Sequence, residues 1–165
     1  MPFFRSLPPE AGVRHILQLN KPAGRALIEL HEALMRSDSP LTAAQHEEIA
    51  TYVSSLNACR YCFGVHSETV KAFDAQPDPR MEPILAYAKK LTLEPTRLTQ
   101  ADADAVFAAG WSERALHDAV LTTCLFNFMN RLLEGHGVEG NAELFAQRGK
   151  VLKDAGYAPL LRFLE

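Results

Sequence analysis

Residues Glu47–His66 read EEIATYVSSLNACRYCFGVH. Apolar side chains fall at Ile49, Tyr52, Val53 and Leu56, spaced three and four apart, as on one buried face of a helix. Just upstream, Thr42 is an N-cap and Gln45, three residues on, completes a capping box. Glu47 and Glu48 fall near the end that favours acids. Asn57 is a helix stop. A second helix is expected from about Cys59 to Phe73, so the two form an antiparallel pair around a turn at Asn57–Ala58.

The same periodicity extends outward. KPAGRALIELHEALMR places Ala26, Leu27, Leu30, Ala33 and Leu34 on one side, with Pro22 suited to a first turn. QPDPRMEP, with its three prolines, is a loop. EPILAYAKKLTL buries Ile84, Leu85, Ala88 and Leu91. Thr99 opens a further helix that stops at Gly110; Ser112 opens a longer one that stops near Gly135–Gly137. NAELFAQRGKVLKDAG is a last helix, and the tail behind it docks apolar residues. No alternating pattern bounded by hairpin turns occurs. The expected class is all-α, six to eight helices, in a single domain over 1–165. SPLTAAQHEEIA and TRLTQADADAVF share a short pattern before an amphipathic helix, a weak hint of internal duplication.

With 165 residues the chain can bury a real core, and 47% hydrophobic residues with a formal charge of −3 describe a soluble globular protein. That charge offers nothing to nucleic acid. No apolar run approaches the ~20 residues that span a bilayer. MPFFRSLPPEAG has no apolar core of a secretory signal, so the expected location is cytoplasmic.

There are three cysteines. Cys59, Cys62 and His66 follow one another at three and four residues, so a helix sets them on one stripe. Zinc would want a fourth ligand, which the sequence does not bring near. A structural disulfide would want an oxidising compartment. A redox thiol centre fits best, because unpaired N–H groups at a helix start lower a thiol pKa and a CxxC there can close into a disulfide. An imidazole can hold or pass the thiol proton. Glu47 lies ~15 Å back along its helix and His66 ~10 Å forward along the next, heights that allow a hydrogen bond between them.

The other candidates have plainer readings. Cys124, inside AVLTTCLFNF, reads as a buried small hydrophobe. His15, His31, His117 and His136 read as structural, and His46 as a surface residue. Asn127, Asn130 and Arg131 interrupt an apolar helix and form a structural polar network, since buried amides need partners. Trp111 is a core or interface anchor.

Glu-x11-Cys-x-x-Cys-x3-His, here Glu47, Cys59, Cys62 and His66, resembles the core motif of the alkylhydroperoxidase D-like (AhpD-like) branch of the carboxymuconolactone decarboxylase superfamily. The closest likeness is to its peroxidase-related members. ALIELHEALMRSDSPLT before the motif and AGWSERALHDAVLTTCLFNFMNRLLEGHGVE after it extend the likeness over roughly residues 14–140. The resemblance implies an all-α fold assembled into trimers or hexamers, and a thiol peroxidase that reduces hydroperoxides. It implies that Cys62 attacks the peroxide and becomes a sulfenic acid. Cys59 relays a proton and then closes the Cys59–Cys62 disulfide; His66 and Glu47 form the proton relay. No cofactor is implied beyond an external dithiol protein that reduces the disulfide. A thiol–disulfide oxidoreductase acting on a protein partner, and a non-catalytic redox sensor or scaffold, are the rival readings.

Two positions depart from the family pattern. Tyr61 stands where some archetypal members carry a histidine between the cysteines, and His46 stands where subfamily members commonly have arginine. The superfamily's lactone decarboxylases lack the CxxC core, which argues against decarboxylation.

Overall fold

Thr42 accepts the Gln45 N–H at 3.2 Å while the Gln45 side chain accepts the Thr42 N–H at 2.8 Å. Two of the four donors that every helix start leaves open are thus satisfied, and α3 (Ala43–Leu56) begins there. It ends at Asn57, but the residue that reverses the chain is Ala58, in the left-handed region at φ 53°. Cys59 is the N-cap of α4 (Arg60–Phe73), which folds back against α3.

A computed structural model describes residues 1–165. Around the α3–α4 hairpin lie α1 (Val13–Leu19), α2 (Lys21–Met35), α5 (Met81–Leu93), α6 (Gln100–Ala108), α7 (Glu113–Gly135) and α8 (Ala142–Ala155). Short 3-10 segments cover Pro95–Arg97 and Ala158–Leu164, and there is no strand. Eight α-helices fall within the expected six to eight, and the all-α class is as read from the sequence. The helix starts at Thr99 and Ser112 form as expected, with Gly110 and Gly137 at positive φ behind α6 and α7.

A core of 28 buried residues joins α3, α4, α5 and α7. Burying a large aliphatic or aromatic side chain contributes about 1.5–3 kcal/mol, so fully buried Ile49, Ile84 and Phe126 anchor this layer. Then α8 lies along α4, and two glycines make the approach close. A Cβ at Gly64 would come within 2.3 Å of the Phe145 ring, and one at Gly149 within 2.7 Å of the Glu68 backbone. The tail docks as expected: Leu164 packs with Leu17 and Ile28 in a small cluster on α1 and α2.

The core face of α2 differs from the one read from its periodicity. Leu34 is buried and Leu27 half-buried, but Ala26, Leu30 and Ala33 face outward. The inner face is Gly24, Ile28, His31, Leu34 and Met35. Gly24 sets that rotation, since a Cβ there would sit 2.3 Å from the Leu17 carbonyl oxygen on α1. His31, read as structural, belongs to the buried stripe. Cys124 is likewise exposed rather than buried, on the outer side of α7 with Leu121 and Phe128. His46 is buried, not at the surface.

Candidate active site

Cys59 caps α4 and Cys62 sits in its first turn, one turn before His66. All three are buried, and the cysteines are free thiols. Cys59 has no exposed surface. Cys62 lines a cavity of about 80 Å³ together with His66, whereas Cys59 lies behind it. The Cys62 thiol is pushed well above the ordinary range, against the lowering expected at a helix start. Its hydrogen bond with Cys59 is the main cause, then burial and the charge of Cys59; a hydrogen bond from Asn130 works the other way. In the first turn of α4 the neighbouring sulfur outweighs the helix end.

Glu47, on α3, is completely buried and still ionised. Burial pushes its carboxyl up, but His66 and then Arg36 hold it below the usual carboxylate range. Its Oε2 meets His66 Nδ1 at 2.6 Å. Its Oε1 accepts from Arg36 Nη2 at 2.6 Å and from the Tyr157 hydroxyl at 2.8 Å. An ionised carboxylate only accepts, so Nδ1 of His66 carries a proton and donates it to Glu47. The imidazole and the Phe126 ring pack in a T-shape with centroids 4.6 Å apart.

Arg36 and Tyr157 did not emerge from the sequence. Arg36 follows the last turn of α2; its guanidinium also donates to the Leu152 and Met35 carbonyls and lies over the Phe73 and Tyr157 rings. Tyr157 follows α8 at Gly156, with its own N–H held by the Glu32 carboxylate at 2.6 Å. The charge on Glu47 is therefore balanced by a guanidinium at the end of α2, whereas the family pattern commonly places an arginine just before the glutamate. His46 instead turns away to Thr122 and Ser39 at 2.8 and 3.2 Å.

The asparagines are nearer the chemistry than a purely structural network would be. Asn57 donates to Asn127 and Asn130 at 3.1 and 2.9 Å, Asn130 donates to Ser54 at 3.0 Å, and Asn130 also reaches Cys62. Arg131 points outward and donates to Asn127. Trp111 is buried and donates to the Arg80 carbonyl at 2.7 Å. Tyr61 lines the cavity, but its hydroxyl accepts the Val13 N–H at 3.3 Å and makes no contact with His66 or Glu47. It forms part of the cavity wall.

The cavity lies between α1, α2, α4, α7, α8 and the tail, and its wall is mostly apolar. His31 also lines it, with Nδ1 donating to the Leu27 carbonyl at 2.7 Å. Burial lowers His31 to about 4, so its ring is neutral near pH 7.

No protein-family model matches the chain, and no curated protein matches it in sequence. Solved structures do. An uncharacterized peroxidase-related protein from Silicibacter sp. TM1040 superposes with a TM-score of 0.76 at 26% identity, over 83% of this chain and 79% of that one. An alkylhydroperoxidase AhpD core from Ralstonia eutropha JMP134, also an uncharacterized peroxidase-related protein, gives 0.74 at 26% identity, over 82% and 78%. The chain matches AhpD-like, peroxidase-related proteins. In this AhpD-like chain the motif residues Glu47, Cys62 and His66 converge beside one cavity, with Cys59 against Cys62. No helix is long and apolar enough to cross a membrane.

Proposed function

We propose that this protein is a CxxC-dependent thiol peroxidase that reduces hydroperoxides. The observation that carries the reading is the division between the cysteines: Cys62 lines the cavity beside His66, and Cys59 is enclosed behind it. A hydroperoxide entering the cavity meets Cys62. His66 Nε2 receives the thiol proton as substrate arrives, and Glu47 stabilises the imidazolium. The thiolate attacks the terminal oxygen and the O–O bond breaks. Cys62 becomes a sulfenic acid, and the departing alkoxide takes the proton back from His66 as an alcohol. Cys59 then attacks the sulfenic sulfur, forming the disulfide and releasing water. An external dithiol protein reduces the disulfide and is itself oxidised. The active form is a homo-oligomer, trimeric or hexameric, working in the cytoplasm.

The test is to treat the reduced protein with hydroperoxide, trap sulfenic acid with a dione probe and map it by mass. Label on Cys62, increased in Cys59→Ser, is the expected result. Label on Cys59 alone, or none, overturns the assignment.

A further inference from the structure

The wall of the cavity is mostly apolar, but half-buried Arg148 and exposed Arg162 also line it. Arg14 is close by: its guanidinium and that of Arg162 lie 5.4 and 4.9 Å from the centroid of the Phe163 ring. None of these three arginines takes part in an ion pair. Arg148 also borders a neighbouring cleft with Arg14, Tyr61 and Glu10, and Glu10 is out of ion-pair reach of both arginines. Positive charge without a direct ion pair thus collects at one largely apolar cavity of a chain whose formal charge is −3.

Guanidinium groups bind carboxylates through paired, charge-assisted hydrogen bonds. An apolar wall removes an alkyl chain from water. We propose that the cavity takes an anionic amphiphile, an alkyl hydroperoxide whose far end carries a carboxylate held by Arg148 and Arg162. The hydroperoxide part rests on the peroxidase reading above; the anionic, chain-binding part does not.

The two parts separate experimentally. Octanoate and the uncharged 1-octanol are titrated into the full chain and followed by ligand-observed NMR. Octanoate is expected to bind about tenfold more tightly, with the difference falling at high salt. It is expected to disappear in Arg148→Met/Arg162→Met, which keeps apolar bulk; circular dichroism checks the fold, and each single variant serves if the double does not fold. Equal binding of acid and alcohol, or octanoate binding unchanged in the folded variants, overturns the proposal. In turnover, an ω-hydroperoxy octanoate is then compared with its methyl ester. Preference for the acid supports the proposal; equal turnover overturns it and leaves the peroxidase reading intact. Arginine-dependent octanoate binding without turnover of any hydroperoxide supports the anionic site and removes the peroxidase reading.

Discussion

Replacing Glu47 with glutamine changes one oxygen to an amide nitrogen in a fully buried site that serves three donors. Glutamine can still accept from Arg36 and Tyr157 through its oxygen. Its NH2 then faces His66 Nδ1, which has to become the acceptor, so the ring proton moves to Nε2. The nitrogen on the cavity side can no longer receive a thiol proton. General-base contributions are about 100- to 10,000-fold, so peroxide-dependent oxidation of Cys62 should slow by that order. The fold also loses stability, because Arg36 is left with no carboxylate; breaking a buried pair costs about 3–5 kcal/mol. That is a large share of a typical 5–15 kcal/mol but need not unfold the chain. Adding Arg36→Met removes the orphaned charge. The double variant should recover much of the stability, since replacing both members of a buried pair is often close to neutral, yet none of the rate. Stopped-flow oxidation and denaturant midpoints of wild type, Glu47→Gln and the double variant read both quantities. Wild-type oxidation rates in Glu47→Gln would refute the relay. A double variant no more stable than Glu47→Gln would refute the pairing argument.

Acid should weaken the fold before the carboxylates titrate. His31 and His46 are lowered by burial from 6.5 to about 4, so the unfolded chain binds more protons between those values. Stability is therefore held above pH 6.5 and lost as pH falls toward 4, by about 3 kcal/mol per imidazole. Urea midpoints that stay level across that window would contradict it. Cys59→Ala removes the main cause of the raised Cys62 thiol, so thiolate absorbance should appear at lower pH than in the parent; an unchanged titration would show that burial alone sets it. Gly149→Ala should destabilise by about 1–3 kcal/mol, because its Cβ meets backbone at 2.7 Å. Gly135→Ala, with nothing within 4 Å, should stabilise by about 0.5–1 kcal/mol, and thermal melts that fail to separate the two would count against the α4–α8 contact.

The parts of the site readable from sequence were those held by local geometry. Cys59, Cys62 and His66 share a stripe because a helix puts residues three and four apart together. Glu47 followed from one tight turn between two helices. Arg36 and Tyr157 lie 11 and 110 residues from Glu47 and arrive through tertiary packing, on which a periodicity argument is silent. The buried face of α2 is not legible from periodicity, because apolar residues occur on two sides of it and the contact of Gly24 with α1 selects one. The direction of the Cys62 shift depends on contact with another sulfur, and that too is a tertiary fact.

The long reach of the Glu47 contacts has a kinetic consequence. Tyr157 and the Leu152 carbonyl close loops of 110 and 116 residues onto Glu47 and Arg36. Closures of that length form late, after local helices and hairpins. During folding the α3–α4 hairpin can therefore exist with both thiols in place while the carboxylate beside them is unsupported. The chemistry of the site would switch on only when the two distant halves of the chain have met.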